Sequence, residues 1–237
     1  FPSLQVGAQT GGQKTRAKHI TPPPAAQAFV KQNAQPKVLN ADFKLTLSGV
    51  DNKKVSVSWN NPEPVNGVFD DFEAHPDFVI NSPGTANWQY IDADNQETYT
   101  WTSADFPNQG QRMAFIVFNP SKTSPSTADW PDIKPFSGQK MLIDFTVDGG
   151  NNDYLISPEL NFDEDFQVSF RARSYTESYG KERFRVGYST TGTRPSDFRF
   201  VQKGDYEEAP AAWTLYAYTI PKEARYVCIN CVSHEAF

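Results

Sequence analysis

The chain alternates. Phe43, Leu45 and Leu47 are interleaved with Lys44, Thr46 and Ser48, and Val55, Val57 and Trp59 with Lys54, Ser56 and Ser58. A period of two places the apolar set on one face of a pleated strand. Gly49, Val50, Asp51 and Asn52 between the two runs supply turn chemistry, so the pattern predicts a hairpin with one buried face, ended by Pro62 and Pro64. The same alternation returns at Phe166, Val168, Phe170 and Ala172 against Gln167, Ser169, Arg171 and Arg173, and at Phe184, Val186 and Tyr188 against Arg183, Arg185 and Gly187. Residues 113–118 are apolar on both faces, as a strand covered on two sides would be. Further strands are predicted at 140–147, 198–202, 213–220 and 226–233. No run of ten residues carries a helical stripe. Short strands separated by Pro, Gly, Asn and Asp turns predict an all-β fold, a two-sheet sandwich of jelly-roll, galactose-binding-like type.

Before residue 37 the character differs. Gly11-Gly12, Pro22-Pro23-Pro24 and many Gln and Ala read as a leader or linker, with a short helix at 25–31 as the one element it could hold. The expected organisation is a leader over 1–36, the hairpin over 37–68 and the sandwich over 69–237. No signal-peptide pattern opens the sequence at Phe1.

Composition narrows the function classes. Eighteen Phe, ten Tyr and five Trp in 237 residues supply a core, which excludes global disorder. With 22 basic and 28 acidic side chains the net charge is −6, which argues against a nucleic-acid partner bound by phosphate neutralisation. No run approaches the roughly 18 apolar residues of a membrane-crossing helix. Cys228 and Cys231 are too few for a disulfide scaffold, and three positions apart on a strand they point to opposite faces. A zinc site would need further ligands, and His19, His75 and His234 offer no matching pair. The Gly-x-Ser-x-Gly elbow, the His-Glu-x-x-His pattern and the nucleotide-binding glycine patterns are all missing, so no catalytic residue is expected.

Two groups of residues suggest binding. Asp92, Asp94, Asn95 and Glu97 place several oxygen ligands in a short loop, which suits calcium, a hard cation that takes carboxylate and carbonyl oxygens at flexible geometry. The same residues are also common turn formers. Arg171, Arg173, Arg183 and Arg185 on exposed strand faces, with Tyr175 and Tyr179 in the connecting loop, combine planar donors and rings that suit sugars or acidic groups. A solvated charged face is the alternative.

From Phe69 onward the sequence resembles the cleaved-adhesin or choice-of-anchor J domains of bacterial surface and secreted proteins. The resemblance rests on Phe72-Glu73, on 88–94 (WQYIDAD), 113–120 (MAFIVFNP), 152–158 (NDYLISP), 173–176 (RSYT), 182–192 (ERFRVGYSTTG) and 195–198 (PSDF), in that order over about 170 residues. The hairpin ending at Trp59 resembles the opening strands of a fibronectin-III-like module. The resemblance implies a jelly roll whose loops bind calcium, with Glu73 joining Asp92 and Asp94 as a metal ligand. It also implies a non-catalytic, secreted or cell-surface adhesion domain, monomeric, that recognises a glycan or an extracellular protein. The alternatives are an accessory domain of a larger secreted peptidase or glycoside hydrolase, and a structural spacer. Family members end in an Asp-Asp-Ile-like strand that does not occur before Phe237, so the resemblance does not extend to a metal site that borrows carboxylates from that strand.

Overall fold

The computed structural model describes residues 2–5, 45–51, 54–59 and 67–234. The chain divides into two compact units, one of residues 1–8 with 68–237 and one of residues 9–67. Among the described residues the strands are β1 (Pro2–Gln5), β2 (Leu45–Asp51), β3 (Lys54–Trp59), β4 (Gln89–Asp92), β5 (Ile116–Phe118), β6 (Met141–Ile143), β7 (Asp153–Ile156), β8 (Phe166–Ser174), β9 (Glu182–Ser189), β10 (Arg199–Phe200), β11 (Glu207–Ala209), β12 (Thr214–Ile220) and β13 (Tyr226–Cys231). Three short 3-10 turns accompany them. No described helix is long and apolar enough to cross a membrane.

In the smaller unit β2 and β3 pair antiparallel, Leu45 opposite Trp59, with a shift of register between Gly49 and Asp51. This is the hairpin that the alternation predicts. The helix expected at 25–31, the glycine and proline clusters before it, and Pro62 and Pro64 lie outside the described residues.

The larger unit is all-β, a sandwich of two antiparallel sheets. One sheet runs β12-β8-β1-β6-β5 and the other β10-β9-β13-β7-β4, with β11 added to β9. Pro2–Gln5, expected within a leader, forms the strand between β6 and β8. Between the sheets the inward residues of β8 and β12 meet those of β9, β13 and β7. Phe170 and Phe184 pack edge to face at 5.4 Å, Phe184 and Tyr216 at 4.8 Å, with Leu142, Leu155, Val186 and Val227 around them. Each such side chain contributes on the order of 1.5–3 kcal/mol by leaving water.

A second core lies on the other side of the first sheet. Ile116, Phe118, Met141 and Ile143 turn away from the inter-sheet space and pack with Phe78, Trp101, Phe106 and Ile133 from the long connections. Phe118 sits 5.1 Å from Phe106 and 5.5 Å from Phe78, ring to ring. Phe115 and Val117 enter the inter-sheet core instead, which is why residues 113–118 are apolar on both faces. The outer edge of β5 is not left open. Residues 78–81 run along it, with Phe78 N donating to Val117 O at 2.7 Å and Asn81 N to Phe115 O at 2.8 Å.

Cys228 and Cys231 are buried free thiols on opposite faces of β13. Cys228 packs with Tyr154, Ile156 and Phe198 on the outer side of the second sheet, and Cys231 lies in the inter-sheet core. Burial pushes both thiols well above the ordinary range, so neither is a ready nucleophile.

Candidate metal centre

Pairing of β4 with β7 brings the acidic loop against a second carboxylate. Asp92, the last residue of β4, stands opposite Asp153, the first of β7. Like charges directly across a sheet repel. Beyond that pair the chain turns: Asn95, at φ 56°, donates its backbone N–H to Asp92 Oδ1 at 2.5 Å, and Gln96 N donates to Asp94 Oδ1 at 3.1 Å. Asp94 Oδ2 accepts from Asn152 N at 2.8 Å, fastening the turn to β7. The result is that Asp92, Asp94 and Asp153 each offer an oxygen, all within 4.8 Å of one another. Two oxygens bound to one calcium ion lie at most about 5 Å apart, so the spacing suits that ion.

The electrostatics point the same way. Asp153 is fully buried, and burial first, then the charges of Asp144, Asp94 and Asp92, push its carboxyl well above the carboxylate range. Asp92 is raised too, by burial and the Asp94 charge, against the hydrogen bond from Asn95 and the charge of Arg112. Asp153 Oδ1 has no hydrogen-bond partner. A buried carboxylate oxygen without a donor is costly, and a cation removes that cost. The donor set is all oxygen and anionic, which fits calcium rather than a soft metal.

Glu73 is not in this group. Its Oε1 accepts from the backbone N–H groups of Gln139 and Lys140, both at 2.8 Å. Gly138, at φ 65°, makes that approach possible, since a Cβ there would lie 2.3 Å from Oε1. The oxygens beside it already face a cation carried by the chain. Lys140 Nζ donates to Glu73 O at 3.1 Å and to His75 O at 2.5 Å, and sits 3.2 Å from Asp77 Oδ1. Burial works against ionising Asp77, but hydrogen bonds from Asn119 and Lys140 hold its carboxyl below the ordinary range.

No protein-family model and no curated protein matches the sequence. Among solved structures the chain is similar to the K1 cleaved adhesin domain of Lys-gingipain from Porphyromonas gingivalis, at 18% identity and a TM-score of 0.42, over 63% of this chain and 83% of that one. It is also similar to the K3 cleaved adhesin domain of the same protein, at 18% identity and a TM-score of 0.37, over 63% and 84%.

The four arginines do not share a face. Arg171 and Arg173 belong to β8 in the first sheet, Arg183 and Arg185 to β9 in the second. Arg173 is not on a solvent face: it is 7% exposed and donates to Ser174 O at 3.0 Å and Pro131 O at 3.3 Å, tying down the loop over the second core. Arg171 lies over Phe136 at 4.0 Å. On the other sheet Arg183 covers Tyr206 at 4.4 Å, and Arg185 covers Phe200 at 4.1 Å while donating to Asn230 Oδ1. Tyr175 packs edge to face on Trp101 at 6.2 Å, whereas Tyr179 is 69% exposed.

One arrangement escapes the sequence motifs. His75 Nε2 is 2.8 Å from Asp70 Oδ2 and Nδ1 is 2.9 Å from Ser82 Oγ, a hydroxyl, imidazole and carboxylate in line. Trp88 Nε1 donates to the same Asp70 oxygen at 2.9 Å. All three members are buried, Ser82 at 3% exposure, and Gly84 is so close to the imidazole that a Cβ would lie 2.2 Å from it. As packed, the trio is an internal brace between the start of the sandwich and the turn before β4. Nothing in the spacing of Asp70, His75 and Ser82 matches a serine-hydrolase pattern, and only the fold brings them together.

Proposed function

We propose that the chain is a non-catalytic, calcium-stabilised adhesion module of a secreted or cell-surface protein, recognising a glycan or an extracellular protein through its loops and the outer face of one sheet. The observation that carries this reading is the trio Asp92, Asp94 and Asp153, whose buried member has a carboxylate oxygen without a donor. A cation there would lock the β4 turn to β7 and stiffen the rim of the sandwich, and recognition loops work best on a rigid scaffold. The ligand-facing surface is taken to be Tyr206 with Arg183 stacked on it at 4.4 Å and held 3.4 Å from Glu208, and, separately, the exposed ring of Tyr179 in the loop before β9. Sugars and acidic groups both suit such a surface. The net charge of −6 disfavours strongly acidic ligands at long range, so neutral sugars suit the chain better than anions.

The test is a glycan array together with binding to extracellular matrix proteins, run in calcium and in chelator, with Tyr179→Ala and Arg183→Ala as comparators. Binding that is weakened by these substitutions and by chelation is expected. Uniformly negative arrays and matrix assays would replace the reading with that of a structural spacer.

A further inference from the structure

The sheets of the sandwich end on β12 and β5 and on β10 and β4, and three of these edges are guarded. Residues 78–81 run along β5. In the second sheet β10 and β11, side by side on β9, are two and three residues long, and β4 has four residues and closes on the carboxylate of Asp92. Short edge strands, charges and covering segments are the means by which sheets avoid pairing with other chains. β12 uses none of them. It runs for seven residues, Thr214–Ile220, without a charged side chain or a proline, and pairs with β8 along its whole length with no shift of register. In an antiparallel ladder every second residue turns its N–H and C=O away from that partner. Among the described residues nothing bonds to these outward groups of β12, and Ala217 and Thr219 are exposed.

We propose that β12 is a dimerisation edge: two copies of the chain pair their β12 strands antiparallel about a two-fold axis at Ala217 and join their first sheets into one continuous sheet. The sequence of the edge selects a second copy as the occupant. Residues 214–220 (TLYAYTI) are nearly symmetric about their centre, so the two-fold sets Tyr216 opposite Tyr218 of the second copy and Leu215 opposite Thr219. Cross-strand pairs of aromatic and β-branched residues are favourable, and no charge in the strand opposes its own copy. The faces also agree. Tyr216 and Tyr218 stack on Phe170 in the inter-sheet core at 5.7 Å and 6.3 Å, and this register matches each of them to a residue of the same face, which a slip by one residue would not. About six to eight backbone hydrogen bonds form across the axis, from groups that otherwise face water. The assembly closes at two, because the far edge of the joined sheet is the covered β5 of each copy. The adhesin resemblance implies a monomer, and the open edge is the observation against it. None of this depends on the calcium reading.

The experiment is sedimentation velocity of the full chain at tens of micromolar, in calcium and in chelator, with circular dichroism as the check on folding. The unmodified chain should sediment as a dimer in both buffers. Ala217→Lys and Ala217→Glu each set like charges side by side at the two-fold, from a position exposed enough for the fold to accept them. Each variant alone should sediment as a monomer, and their equimolar mixture should recover the dimer because opposite charges then meet. Thr219→Lys, which brings a charge opposite Leu215 of the second copy, takes their place if either fails to fold, and should also give a monomer. A monomeric unmodified chain overturns the proposal. A dimer that survives these substitutions, or a mixture that stays monomeric, overturns it as well.

Discussion

Two oxygen-rich corners of the same sandwich are solved in opposite ways. Around Glu73 the carbonyl oxygens of Glu73 and His75 and the carboxylate of Asp77 converge on Lys140 Nζ, so the cation is part of the chain. Around Asp153 three carboxylates converge with no Lys or Arg bonded to them in the described residues, Arg112 acting on Asp92 only through its charge, and Asp153 Oδ1 is left without a donor. The difference teaches that a local run of acidic residues does not announce a metal. What decides is whether the fold delivers an ammonium group to the oxygens or leaves them facing one another.

The comparison breaks most visibly with calcium. At a hundredfold excess over its dissociation constant the ion should add about 2.7 kcal/mol to the native state. For a domain of this size that is roughly 5–10 °C in the melting temperature. Calorimetry of the unmodified chain and of Asp153→Asn, in calcium and in chelator, checks this: the variant should lose the difference, and an unmodified chain that melts alike in both buffers would remove the trio as a cation site.

A somewhat smaller effect is expected at the other corner. Lys140→Met strips the donor from two backbone carbonyls, which costs about 1–3 kcal/mol. Because the cation there is covalent, the loss should be the same with calcium and with chelator. A destabilisation that calcium rescues would show that the corner around Glu73 takes up metal after all.

The pH dependence should also distinguish the corners. Burial, reinforced by neighbouring carboxylates, raises Asp153 above its unfolded value, so its contribution to stability is complete in acid and is lost as pH climbs toward the folded-state pKa. Chelator-treated protein should therefore melt lower at pH 8 than at pH 5, and calcium, which needs the ionised carboxylates, should reduce or reverse that slope. Asp77 is lowered, and its contribution is present above the unfolded value and fades only in acid. A chelator slope that survives unchanged in Asp153→Asn would assign it to other groups.

The smallest stability effect belongs to the exposed surface. Tyr179→Ala should stay within about 0.5 kcal/mol of the parent by chemical denaturation. Its consequence should appear in ligand binding alone, and a large loss of stability would mean that the ring is structural.

Much of the sandwich was legible because alternation reports burial directly. The runs at 166–173 and 183–188 became β8 and β9 as their pattern predicts, and the double-sided apolar run at 113–118 spans β5 and serves both cores. The strands β1, β4, β7 and β11 carry no legible strand pattern. They are three or four residues long, and Asp153–Ile156 is buried throughout, so no period of two can show in it. The metal-ligand expectation divided along the same line. Asp92 and Asp94 are neighbours in the sequence and remain so in space, but the third carboxylate comes from β7, and Glu73 is drawn to the amides of Gln139 and Lys140. Arginine positions were legible strand by strand. That β8 and β9 belong to different sheets was not.

By itself the sequence determined the local terms: which residues prefer extended backbone, which face of each strand is apolar, where turns fall and how much charge the surface carries. These depend on side chains within a few positions of one another. The tertiary structure alone decided which strands pair, and with that the meeting of Asp92 with Asp153 and the arrival of Lys140 beneath Glu73. Such contacts join residues far apart in the chain, and the free energy that fixes them is the packing of the whole core, which no short stretch of sequence contains.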